Sequence, residues 1–227
     1  MNTSRLRRIR SFVKREGRMT SAQNHALTEL LPQYGVSDPL QAVDLEQLFQ
    51  RNAPCYLEVG FGMGDSLLEI AETHPQNNYL GIEVHRPGVG RLLIALDNKQ
   101  LTNLRLINHD AVEVLQHAVP ENSLDGVYLF FPDPWHKKKH HKRRIVQPGF
   151  VQQVRHCLKP GGLFHLATDW QHYAEHMMDV LSTAEGFNNT AGNKNYADRG
   201  SRPETKYERR GQRLGHEVWD LVFSKEH

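Results

Sequence analysis

From residue 55 to residue 184 the chain alternates short apolar runs with stretches whose apolar positions recur at helical spacing. The runs are CYLEVG (55–60), YLGIEV (79–84), LRLIN (104–108), DGVYLFF (125–131) and GLFHLAT (162–168). Between and after them, helical patterns cover about 66–73, 88–98, 111–118, 148–158 and 171–184, the last with Tyr173, Met177, Val180 and Leu181 on one face. Near-continuous apolar strands that alternate with helices predict an α/β fold with a parallel sheet covered on both faces, Rossmann-like and doubly wound. A last alternating run, HEVWDLVFS (216–224), follows a polar stretch rather than a crossover helix, and is expected to add an antiparallel strand at the C-terminus. Upstream, 22–31 and 39–50 read as short helices, the second opening after Asp38 with Pro39 in its first turn. Residues 1–18 show neither period and read as a basic arm of low order. The expected organisation is a basic arm with short helices over 1–50 and one α/β domain over 51–227.

Charge changes this picture more than composition does. At 227 residues, with 38% hydrophobic and 24% charged residues, the chain suits a single core with an extension. No stretch of about 18 apolar residues is present, which excludes a membrane-spanning helix. Cys55 and Cys157, far apart among apolar neighbours, read as buried thiols in a reducing compartment, and the cytoplasm is the expected location. The net charge of +2 conceals two basic clusters: seven Lys/Arg against Glu16 within residues 1–18, and six Lys/Arg with no acid in KKKHHKRR (137–144). The remainder is acidic by ten charges. Concentrated positive charge on an acidic body is the footprint of a polyanionic partner such as nucleic acid.

Candidate chemistry gathers where strands end. The first strand runs into Glu58, Gly60, Gly62 and Gly64 immediately before a helix, the place where a parallel sheet takes a nucleotide-like ligand. The dinucleotide fingerprint requires GxGxxG, whereas here the third glycine comes one residue early and Glu58 stands two before the first. A carboxylate there suits a cofactor bearing a sulfonium and an ammonium, such as S-adenosylmethionine. Ser66 and Glu69 also have the spacing of a capping box. Glu83, at the end of the second strand, is placed to accept both ribose hydroxyls. Asp110, after the third, is placed to accept from an adenine amino group, and Asp110 with Glu113 is also spaced as a cap.

The fourth strand leads into Phe131, Pro132, Asp133, Pro134, Trp135, His136 and Lys137, where the prolines are expected to hold Phe131 and Asp133 extended and the Asp133 carboxylate stiff. The basic run follows at once. His136 and His140 stand at i, i+4, but no acid or cysteine set completes a ligand sphere, so no metal is expected. Asp169 ends the fifth strand on the cofactor side. The polar stretch from Ser201 to Glu208 offers donors and an acid for a base edge.

Taken together, these segments resemble the bacterial tRNA (guanine-N7-)-methyltransferases, class I enzymes that methylate guanine 46 in the tRNA variable loop. LEVGFGMG (57–64), GIEVHRPGVG (81–90), HDAVEVL (109–115), LFFPDPWHKKKHHKRRIVQ (129–147), ATDW (167–170), SRPETKYE (201–208) and LGHEVWDL (214–221) carry the resemblance. It implies S-adenosylmethionine as cofactor, with Glu58, Gly60, Gly62, Glu83, Asp110 and Asp133 about it and Asp133 as catalytic residue. It implies tRNA as partner, with Lys137, Asp169, Thr205, Lys206, Tyr207 and Glu208 as substrate contacts. Lys139, His140, His141, Lys142, Arg143 and Arg144 correspond to the RNA-binding segment. A monomer without metal or membrane attachment is expected. A nicotinamide oxidoreductase and a non-enzymatic RNA-binding module are the alternatives.

Overall fold

The computed structural model describes residues 9–13, 17–200, 202–204, 208 and 217–226. Three short helices come first, α1 (Ser21–Glu29), α2 (Leu31–Tyr34) and α3 (Leu45–Phe49), followed by β1 (Cys55–Val59), α4 (Asp65–Thr73), β2 (Asn78–Ile82) and α5 (Arg86–Lys99). The chain continues through β3 (Leu104–Ile107), α6 (Ala111–His117), β4 (Leu124–Phe130), a 3-10 helix (Lys138–Arg143), α7 (Pro148–Cys157), β5 (Leu158–Thr168), α8 (Gln171–Ser182), β6 (Phe187–Asn189) and β7 (Trp219–Lys225).

The strands form one sheet in the order β3-β2-β1-β4-β5-β7-β6, in which β7 runs antiparallel to both β5 and β6. The other neighbouring pairs are parallel, so the strand ends that carry Glu83, Asp110, Asp133 and Asp169 share one edge. Two apolar clusters flank the sheet. One joins Leu57, Leu80, Val127 and Phe164 to α6, α7 and α8; the other joins Tyr79 and Leu106 to Leu67, Leu93 and the N-terminal Ala26, Leu27 and Tyr34. That second packing explains α1: Thr20 and Gln23 cap it reciprocally, and its apolar face closes on α5.

Three local expectations are corrected. The helix foreseen over 39–50 is only Leu45–Phe49, because Asp38 accepts from Leu40 N and closes a turn while Asp44 supplies the real cap, accepting from Gln47 N. The Ser66 and Glu69 box does not form: α4 starts one residue earlier, behind Gly64 at φ +80°, with no side-chain cap, and the Ser66 hydroxyl is buried with no partner among the described residues. The short strand β6, absent from the sequence pattern, pairs with β7 inside the polar stretch. Among the described residues no helix is long and apolar enough to cross a membrane.

Candidate active site

The loop after β1 is built by backbone approach. Gly60 and Gly62 take φ of +74° and +59°, and a Cβ at either would point into open space, so this stretch presents bare backbone to a cavity. Across it, Gly88 in α5 lies so close that a Cβ would strike the Gly62 carbonyl, which locks the glycine loop onto the start of the helix. The cavity, about 400 Å³, is bordered by Gly60, Glu83, Asp110 and residues 131–133.

Each strand-end acid has a distinct environment. Glu83 accepts from Gly62 N at 2.8 Å through one oxygen, and from Val84 N and His85 N at 2.7 and 2.8 Å through the other. Three of its roughly four acceptor positions are taken, and one stays open. Asp110 caps α6 by accepting from Val112 N at 3.1 Å through Oδ1 and faces the cavity. Glu58 does not border the cavity. It is buried beneath the loop, and its Oε2 has no hydrogen-bond partner among the described residues.

Burial, with the nearby Glu83 charge second, pushes the Glu58 carboxyl from 4.5 up to about 8. The folded chain therefore holds this proton more tightly than the unfolded chain, so stability falls as pH rises through that window. Glu58→Gln should raise the melting temperature of the cofactor-free protein by several degrees near pH 8.5, at about 2 to 4 °C per kcal/mol for a chain this long, and hardly at all near pH 4.5. Calorimetry at both pH values checks it; an equal shift at both would contradict the buried charge.

Asp133 is exposed and aimed from a strained corner. The prolines do not hold Phe131 extended: Phe131 sits at φ +51° and Trp135 at φ +46°, left-handed values uncommon for such residues. The Phe131 N–H donates to Ala167 O at 2.8 Å, and the Arg202 guanidinium lies 5.4 Å from the Phe131 ring centroid, which fixes this conformation. Asp133 Oδ1 accepts from Trp135 N at 2.9 Å, leaving its other oxygen for a ligand. Lys137, Lys139 and Lys142 project from the exposed turn that follows, while His140 packs its edge on Trp135 and Arg143 lies 4.1 Å over the same ring.

Two assigned contacts point elsewhere. Arg144 is 2% exposed and faces inward, so it does not present a charge to solvent as its neighbours do. Glu208 is likewise buried, giving both oxygens to Arg202 at 2.7 and 3.1 Å, while Arg202 also takes both oxygens of Asp220. Thr205, Lys206 and Tyr207 lie outside the described residues. Asp169, half-buried, opens with Trp170, Glu217 and Trp219 onto a second cavity of about 640 Å³. Among the described residues no group of three or more His, Cys, Asp or Glu is arranged to hold a metal ion.

The sequence pattern missed residues 11–13, which border the cofactor-sized cavity. Trp135 Nε1 donates to Ser11 O at 3.1 Å, and Arg143 donates to Arg10 O and Phe12 O at 3.2 and 3.0 Å. Backbone carbonyls make these bonds, so no side-chain period announces them. Only the apolar pair Phe12 and Val13, within an otherwise basic arm, hinted at docking.

A family profile described as "Putative methyltransferase" matches residues 52–221. The tRNA (guanine-N(7)-)-methyltransferase of Aeromonas hydrophila is 57% identical over 221 residues, covering 97% of this chain and 93% of the relative. That of Hydrogenovibrio crunogenus is 56% identical over 220 residues, with 96% and 92% covered. The chain belongs to the tRNA (guanine-N(7)-)-methyltransferase family. Membership of this family removes the nicotinamide oxidoreductase and the non-enzymatic module as readings. The crystal structure of the 16S rRNA methyltransferase KamB shares the fold, with a TM-score of 0.61 at 16% identity over 82% of this chain and 95% of that one. This agrees with the mostly parallel sheet of this chain, in which β7 is reversed.

Proposed function

We propose that this protein transfers a methyl group from S-adenosylmethionine to N7 of guanine 46 in the variable loop of tRNA, acting as a monomer in the cytoplasm. The observation that carries the reading is the shared edge: Asp110, Glu83 and Asp133 border one cavity, Asp169 at the end of the neighbouring strand opens on another, and an exposed lysine-rich turn follows Asp133 directly in the chain. The two thiols, buried, unpaired and pushed up to about 12 by burial, suit a reducing compartment.

The cofactor fits the donors present. Bare backbone at Gly60 and Gly62 admits close approach, and Asp110, which borders the cavity, has an oxygen for an amino donor. Bound there, S-adenosylmethionine supplies an electrophilic methyl on a cationic sulfur. Guanine N7 attacks with an exposed lone pair and loses no proton first, so no strong general base is needed. Alkylation leaves the purine cationic, and fixed negative charge beside it lowers the barrier. Asp133 provides that charge, held by Trp135 N, and in-line placement of N7 does the rest. Asp169 accepts from the N1–H and N2–H donors of guanine in this reading, supported by its place with Trp170 and Trp219 on the lining of the second cavity. Arg202 pairs with Glu208 and with Asp220 of β7, joining these two acids through one guanidinium.

Labelled S-adenosylmethionine incubated with unmodified tRNA transcripts, followed by chemical cleavage at 7-methylguanine, tests the reading. Cleavage at the variable-loop guanine is expected. Label at another nucleotide would overturn the position, and no transfer to any tRNA would overturn the activity.

A further inference from the structure

Arg144 is the largest fully buried side chain among the described residues, and no carboxylate there lies within ion-pair distance of it. A buried guanidinium without an acid is costly unless its N–H groups find acceptors. Its acceptors are unusual. Nε donates to the Pro134 carbonyl at 2.9 Å, the residue after Asp133. Nη1 and Nη2 both reach His172 Nδ1 at 3.4 Å, and Nη2 reaches His141 Nε2 at 3.3 Å. The guanidinium also lies 4.7 Å over the ring of Tyr173, whose hydroxyl accepts from Val146 N at 3.4 Å. One side chain thus ties the Asp133 loop, the basic turn and the first turn of α8 together.

We propose that Arg144 is a positioning residue, a latch that holds the Asp133 loop and the basic turn against the start of α8 and so sets the Asp133 carboxylate relative to Asp169. The proposal rests on the assignment of Asp133 to methyl transfer. It separates Arg144 from the phosphate-binding side chains beside it: Lys139 and Lys142 point outward from the turn, whereas Arg144 turns inward at its end.

The latch has a protonation requirement that follows from donor chemistry. A guanidinium only donates, so His141 Nε2 and His172 Nδ1 must present bare lone pairs. Protonating either ring at that atom replaces an acceptor by a like-charged donor. The groups facing Arg144 are His141 from its own turn, His172, Tyr173 and His176 from α8, and Asp133 within electrostatic reach of Tyr173. Burial first, then the Arg144 charge, holds His141 below the usual imidazole value, and burial leads the lowering of His176 as well. For His141 the lowered value favours the neutral ring that the latch needs.

Three measurements test this. Arg144→Gln should lower kcat by at least about tenfold, leave the tRNA Kd within about twofold and keep the salt slope of binding unchanged, because no phosphate contact is lost. Weaker tRNA binding with a shallower slope and normal kcat would overturn the latch and make Arg144 a phosphate contact. His172→Asn, whose side-chain oxygen takes the place of Nδ1 and still accepts from Arg144, should keep most of the turnover, whereas His172→Leu, which offers no acceptor, should lose it as Arg144→Gln does; equal turnover in the two would count against the latch even if Arg144→Gln misfolds. Amide hydrogen exchange across 132–146 reads the latch without turnover and should accelerate in Arg144→Gln; unchanged exchange overturns it. The Asp133 assignment fails separately, if Asp133→Ala retains turnover while exchange in Arg144→Gln still rises.

Discussion

Asp133→Ala should reduce kcat by about 100- to 1,000-fold while leaving the tRNA Kd within about twofold, the size seen when one preorganised electrostatic group is removed from a reacting centre. The asymmetry between the two readouts follows from sign. Phosphates are drawn by positive charge, and removing an exposed carboxylate beside Lys137 and Lys139 takes away a repulsion, so binding holds or tightens slightly. Turnover has the opposite dependence, because the purine gains positive charge as N7 is alkylated. Asp133→Asn refines the test. The amide oxygen still accepts from Trp135 N, so geometry survives and charge is lost. If orientation dominates, the Asn variant recovers much of the loss; if charge dominates, it is as slow as Ala. Single-turnover rates with saturating tRNA separate these outcomes, and a parallel fall in tRNA affinity for both variants would make Asp133 a docking residue instead.

The sheet was legible in the sequence because fully buried parallel strands must be continuously apolar, and five such runs interleaved with helices admit few arrangements. The strand-end acids were legible for the same reason: each interrupts an apolar run where the chain leaves the core. What the pattern hid is side-chain direction after a turn. KKKHHKRR reads as eight equivalent cationic or polar positions, yet the 3-10 helix over its middle sends Lys139 and Lys142 outward and ends so that Arg144 points in. Glu58 and Glu208 were hidden similarly. One looks inward from β1 rather than into the cavity, and the other is consumed by Arg202, which is 18 residues from its second partner Asp220. The left-handed backbone of Phe131 reverses the simple proline rule because the Ala167 carbonyl and the Arg202 guanidinium act on it from β5 and beyond, contacts that no local pattern encodes.

That outward and inward sorting gives the last expected result its form. Replacing Lys137, Lys139 and Lys142 together with alanine should weaken tRNA binding by about 10- to 100-fold near 100 mM salt, and lower the slope of log affinity against log salt by about two to three, since each phosphate contact contributes slightly under one. All three side chains are exposed and carry no structural ion pair among the described residues, so their loss should leave the melting temperature within about 2 °C. At saturating tRNA, kcat should stay within about threefold, because the Asp133 loop keeps its bond to Trp135 N and its attachment through Arg144. The profile is the mirror image of Asp133→Ala: affinity and salt dependence move while turnover does not. Filter binding at four salt concentrations, with single-turnover rates on the same preparations, decides it. An unchanged slope would mean that the turn beside Asp133 is not what meets the phosphates, and would shift that role to the seven basic residues of the first eighteen.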